Sequence, residues 1–147
     1  MRWCYMRKTP IEEGKRWLEQ ASVDLKWSKD LAKRGGYHIS CFLAQQVGEK
    51  ALKAFLYAEG EELVIGHSVE RLCASAAEFD KEFAEKVKTW SILDGYYVTT
   101  RYPNSLPDSI PARVYTSQAA TKAANMAEDI VQFIQKKIET LELSESD

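Results

Sequence analysis

A chain of 147 residues, 45% of them apolar and 11% aromatic, fits one domain and can bury a core without metals or disulfides. Twenty basic side chains against twenty-two acidic ones leave a formal charge of −2, which excludes the global positive field of a non-specific duplex binder. Any nucleic-acid contact must then come from a local patch. Cys4, Cys41 and Cys73 are an odd set with no C-x-x-C pair, which argues against a disulfide framework and against a zinc site. The start MRWCYMRKTP is basic but has no apolar run behind it, and no stretch approaches bilayer-crossing length. The expectation is a soluble, unprocessed cytoplasmic protein with no membrane contact.

Taken in chain order, residues 1–10 read as an N-terminal extension, 11–142 as the folded domain and 143–147 as an acidic tail. From 11 to 33, Trp17, Leu18, Ala21, Leu25, Ser28 and Leu31/Ala32 recur at three- and four-residue steps, which places them on one helical face. Gly35 and Gly36 end that helix. A second helix is predicted over 37–59, stopped by Gly60, with Leu43, Val47, Ala51, Ala54 and Ala58 as its core stripe. Its other face mixes Phe42, Gln46, Lys50, Lys53, Leu56 and Tyr57, a pattern that suits an interface better than bulk solvent.

After the turn at Gly66, His67 and Ser68 can cap a short helix through Ser75, and Phe79, Phe83, Val87, Trp90 and Leu93 mark another. Between Asp94 and Tyr115 the periodicity breaks: Gly95, Pro103, Pro107 and Pro111 interrupt a cluster of tyrosines. A loop of this length inside a compact domain is usually functional or disordered, and this one, which carries Tyr96, Tyr97, Arg101, Tyr102 and Arg113, reads as functional. The last helix is expected over 117–141, with Ala120, Ala123/Ala124, Ala127, Ile130/Val131, Ile134 and Ile138 inward, before the LSESD tail frays. No alternating strand pattern occurs. The fold class is therefore all-α, an antiparallel up-and-down bundle of four to five helices.

Several segments, in this order, resemble the HEPN family (higher eukaryotes and prokaryotes nucleotide-binding). They are Ala21-x-x-Asp24-Leu25, then Cys41-Phe42-x-Ala44-Gln45-Gln46-x-x-Glu49-Lys50-Ala51-x-Lys53-Ala54, then Gly66-His67-Ser68-Val69, then Leu93-Asp94-x-Tyr96-Tyr97 running to Arg101-Tyr102-Pro103. The likeness spans roughly residues 12 to 140. It implies a homodimer whose intersubunit cleft binds nucleotide or RNA, and a minimal nucleotidyltransferase as partner, as in two-component toxin–antitoxin pairs. The active branch of that family cuts RNA without metal, using an arginine followed four to six residues later by histidine, or a variant with tyrosine. This sequence departs from both: its histidines are His38 and His67, Arg34 precedes His38 too closely, and no histidine follows Arg101.

The candidate binding residues are Arg101, Tyr102, Lys50, Lys53, Gln46 and Tyr97. A guanidinium offers a bidentate fork to oxyanions, and a tyrosine offers a stacking face and a hydroxyl. The plainer reading has a buried Arg101 pinning the loop through carbonyls or Asp94. Lys50 and Lys53 add positive charge on the mixed face; alternatively Lys53 pairs with Glu49 on a solvated helix side. Gln46, if buried, needs partners across an interface or against the long loop. His67 stands in a capping context, the tyrosines serve equally as packing wedges, and Asp24 reads as a structural hydrogen-bond acceptor. No catalytic residue, metal ligand or cofactor is assigned. The leading expectation is a nucleotide- or RNA-binding homodimeric module. Its rivals are a metal-independent ribonuclease using Arg101 with Tyr97 or Tyr102, and a purely structural dimerisation domain.

Overall fold

The computed structural model describes residues 8–146 and is a helical bundle with no strand among them. Helix α1 spans Pro10–Arg34. Thr9 caps it through a reciprocal capping box with Glu12, Pro10 occupies the first turn, and Gly35 closes it at φ 92°, where a side chain would be strained. Helix α2 spans Tyr37–Ala58. Ser28 and Ser40 exchange hydroxyl-to-carbonyl bonds of 2.9 and 2.6 Å beside the α1–α2 turn. Further along, a Cβ on Gly14 would lie 2.7 Å from both the Ala54 carbonyl oxygen and the Ala58 Cβ. The two helices therefore pack antiparallel with almost no side chain between them there.

Helix α6, Ser117–Ser146, runs antiparallel to α1 as well, since Lys15 pairs with Glu142 and Lys29 with Glu128. Every inward position expected on it is buried: Ala120, Ala123, Ala124, Ala127, Ile130, Val131, Ile134 and Ile138. The helix continues through the acidic residues to Ser146 instead of fraying after Leu141. Helices α2 and α6 thus point the same way, and the connection between them must carry the chain back along the bundle.

That connection holds α3 (Val69–Phe79), α4 (Val87–Trp90) and α5 (Pro111–Val114). Helix α3 runs past Ser75 to Phe79. The continuous helix expected over 79–93 is not formed. Asp80 adopts an extended backbone, φ −148° and ψ 114°, and its carboxylate accepts from the Glu82 amide, so the chain restarts as a 3₁₀ turn at Lys81–Glu85. The apolar spacing still serves the core: Phe83, Trp90 and Leu93 are buried. Phe83 packs 4.5 Å from the Phe55 ring and 5.0 Å from Phe133, which ties this stretch to α2 and α6.

The segment expected as an irregular loop over 94–115 is likewise built of short helical pieces. A 3₁₀ turn covers Ser91–Tyr96, another covers Pro103–Ser105, and α5 follows. Buried Thr100 donates to the Tyr96 carbonyl, and Thr99 bonds both the Gly95 carbonyl and the Tyr115 hydroxyl. These threonines satisfy carbonyls that would otherwise need water.

Candidate functional site

A run of polar residues on α2 begins the site. Gln45, Gln46, Glu49, Lys50 and Lys53 fall within one half of the helix circumference at about 100° per residue. Gln45 is fully buried and donates 2.8 Å to the His67 carbonyl, which draws the α2–α3 connection onto α2. Gln46 donates 2.8 Å to the Gln45 side-chain oxygen, so its amide finds its partner on its own helix. Glu49 is buried, yet it gathers three donors: Lys53 at 3.1 Å, Gln46 at 3.5 Å and His67 Nδ1 at 3.2 Å. Trp17 of α1 lies 5.7 Å from the Lys53 ammonium and covers the pair.

The other wall is set by Asp94. Its carboxylate accepts from the amides of Val69 and Glu70 at 2.7 and 3.0 Å and from the Ser68 hydroxyl at 3.2 Å, while Ser68 itself caps α3 through the Arg71 amide. This clamp fixes the turn that follows. Tyr97 stacks on the His67 ring at 5.1 Å with 18° between planes. Four residues on, the Arg101 Nε–H donates 2.8 Å to the Tyr97 carbonyl. Its guanidinium carbon sits 4.6 Å from the Phe42 ring, 4.7 Å from Tyr97 and 5.3 Å from Tyr102. Three π-faces thus surround one cation. Behind the patch, burial pushes the Tyr96 phenol above its usual range, so it stays a neutral packing group.

The expected site residues therefore separate. Arg101, Tyr97 and Tyr102 come together, and Gln46 reaches them through Glu49 and His67. Lys53 lies beneath, neutralised by Glu49: the i,i+4 pair of its plainer reading forms, but buried instead of on a solvated helix side. Lys50 turns away to Asp24 at 2.5 Å, which makes Asp24 the structural acceptor expected of it. Neither lysine offers a bare charge to a cleft. Arg101 pins its own turn through a carbonyl, as the plainer reading had it, but it is exposed where that reading had it buried, and it does not use Asp94, which is committed to α3. Among the described residues it forms no ion pair. Phe42, Glu49 and His67 complete the patch although none was singled out as a binding residue. Phe42 and Gln46 on one mixed helical face, beside an arginine-bearing loop, was the available signal.

A surface depression of about 720 Å³ lies at the far end of α2 among Lys8, Glu13, Arg16, Tyr57 and Glu61. Two of its charges, Glu13 and Arg16, pair with each other. Cys41 and Cys73 are buried free thiols, each pushed up to about 11 by burial, and so unreactive; Cys4 lies outside the described residues. Among the described residues no group of three His, Cys, Asp or Glu side chains is placed to hold a metal ion, and no helix is long and apolar enough to cross a membrane.

The HEPN domain model matches residues 15–138, which takes in most of α1, all of α2, the whole connection and most of α6. The chain belongs to the HEPN domain family. Two solved structures agree with that assignment. TT1696 from Thermus thermophilus superposes on this HEPN domain with a TM-score of 0.75 at 36% identity, over 85% of this chain and 98% of that one. ST0689, an archaeal HEPN homologue, superposes with a TM-score of 0.70 at 29% identity, over 86% and 98%. No curated protein matches the sequence. The matched span contains every residue of the Arg101 patch.

Proposed function

We propose that this HEPN domain is a nucleotide- or RNA-binding module that works as a homodimer beside a minimal nucleotidyltransferase, with Arg101 as its phosphate anchor. The observation that carries the reading is electrostatic. Of the three cations expected to line a cleft, Lys50 and Lys53 are neutralised by Asp24 and Glu49, whereas Arg101 is exposed and among the described residues has no carboxylate. A guanidinium held against aromatic rings keeps its outer N–H groups for an oxyanion, and the rings beside it suit the flat face of a base. A single strand with a terminal phosphate, or a mononucleotide, fits this combination better than a duplex does.

Homodimerisation draws support from exposed apolar groups near the patch: Val98 on its turn, Tyr102 on its rim, and Ile39 one turn before Phe42 on α2. Partnership with a nucleotidyltransferase rests on the family likeness.

Fluorescence anisotropy with a labelled, 5′-phosphorylated oligoribonucleotide tests the anchor. Arg101→Ala is expected to weaken binding by about tenfold or more, roughly the worth of one charge-assisted contact. Arg101→Lys restores the charge but not the fork, so it recovers only part. Equal affinity in all three proteins would remove Arg101 from the site. Sedimentation of the free protein checks the dimer, and co-purification from native lysate checks the partner.

A further inference from the structure

We infer that His67, oriented by Glu49, is a ribose-reading residue: its imidazole accepts a hydrogen bond from a sugar hydroxyl and makes the site prefer ribonucleotides over deoxyribonucleotides. This rests on the binding reading above and adds the sugar as the discriminated group.

The tautomer decides what the ring can offer. Both Glu49 oxygens lie close to His67 Nδ1, at 3.2 and 3.3 Å. A carboxylate can only accept, so Nδ1 carries the proton and donates. With Nδ1 as the donor, the uncharged form of the ring has Nε2 as a bare lone pair. Among the described residues Nε2 has no hydrogen-bond partner, and the side chain is 60% exposed. Glu49 is itself only 6% exposed at its side chain and is braced by Lys53 and Gln46, so the orienting group is fixed from beneath. The Gln45 bond to the His67 carbonyl holds the backbone as well. A surface histidine with its backbone, one ring nitrogen and one ring face all committed is poised to offer the remaining nitrogen to something outside the chain.

What it meets follows from its neighbours. His67 and Arg101 both lie against the Tyr97 ring. If the guanidinium takes a phosphate and the aromatic faces take a base, the part of a nucleotide that joins them is the sugar. The hydrogen-bond donor a ribose has and a deoxyribose lacks is the 2′-hydroxyl, which is the group by which proteins tell the two nucleic acids apart. An acceptor fixed in advance gains most from that difference, because no ordering cost remains.

The experiment compares matched oligonucleotides of one sequence, one ribose and one 2′-deoxyribose, both 5′-phosphorylated and labelled, by anisotropy on the full-length protein. The wild type is expected to favour the ribose strand by about fivefold, the range of one net hydrogen bond. In His67→Ala the ratio falls to about one; the readout is the ratio within each protein, so a loss of affinity common to both strands, from the missing stack on Tyr97, cancels. His67→Gln, which keeps an acceptor near the Nε2 position, retains part of the preference. Glu49→Gln, verified as folded by its melting curve, lowers the ratio by loosening the tautomer. A wild-type ratio of one, or a ratio untouched by His67→Ala, overturns the ribose assignment and leaves the Arg101 reading standing. Binding of neither strand overturns both.

Discussion

On one side of α2 the side chains are Ala44, Val47, Ala51 and Phe55, all buried in the apolar core with Ile130 and Ile134 of α6. On another side, at the same depth, stand Gln45, Glu49 and Lys53, equally buried yet polar. The first face is held by contact and volume. The second is held by matching: each donor meets a named acceptor, and among the described residues no buried side-chain nitrogen or oxygen lacks a partner. An apolar face tolerates any neighbour of the right size, whereas a matched polar face specifies which segment lies on it. Gln45 and Glu49 select the His67 turn in this way, and the Arg101 patch is built on that turn.

The largest effect is expected on the apolar side. Phe55→Ala removes a ring that is 1% exposed and leaves Phe83 without its 4.5 Å partner. A loss of about 3–5 kcal/mol is expected in urea denaturation, since α2 and α6 are too tightly packed to refill the space. A loss below about 1 kcal/mol would mean that the aromatic cluster is not the centre of the core, because a truncated core ring normally costs several times that.

On the polar side the single change and the double change should differ in character. Glu49→Ala leaves the Lys53 ammonium buried under Trp17 with no carboxylate, which costs about 3 kcal/mol. Replacing both, Glu49→Leu with Lys53→Met, removes the two charges together and is expected to recover most of that stability. The double variant should nonetheless lose sugar discrimination, because His67 has lost its orienting group. Stability and recognition would then separate on one face of one helix. If instead the double variant is as unstable as the single, the pair contributes net stability and the distinction from the apolar face weakens.

How far these two faces were legible in the sequence follows from the same distinction. Periodicity reports burial, and along α6 every inward position expected from spacing is inward. It also carried Phe83, Trp90 and Leu93 into the core, although it could not foresee that Asp80 would interrupt the helix by capping a 3₁₀ turn. Membership of the HEPN family was readable from the helix-two motif and the Arg101-Tyr102-Pro103 run. Partner choice was readable only in part. The i,i+4 spacing offers Glu49 to Lys53, but not the burial of that pair, and the pairing of Lys50 with Asp24 and the lack of a carboxylate at Arg101 among the described residues emerge only in three dimensions. Glu49 and His67 are separated by the α2–α3 turn, so no helical spacing links them.

A smaller effect tests how much of the patch geometry depends on the α3 cap. Ser68→Ala removes the acceptor of the Arg71 amide and is expected to cost about 1 kcal/mol. Asp94 still holds the Val69 and Glu70 amides, so the loss should stay at the modest end and oligonucleotide binding should be retained. A large loss of binding in this variant would show that the His67 turn is positioned by the cap more than by Gln45 and Glu49.

The smallest effect lies away from both faces, where the turn after α3 meets α6. Lys137 donates to Asp80 at 2.7 Å and to Glu82 at 2.8 Å. The Lys137 bond, opposed by some burial and aided by the Glu82 amide, holds the Asp80 carboxyl below its usual range. A depressed carboxylate contributes its stability in full above the ordinary aspartate value and loses it as pH falls through the depressed one. Wild type should therefore exceed Asp80→Asn in denaturation midpoint near neutrality, and the gap should close on acidification below the ordinary carboxylate range. Asparagine's oxygen can still accept from the Glu82 amide, so the difference between the two proteins isolates the charge facing Lys137. A gap that persisted in acid could not come from that charge, and would remove Lys137 from the account.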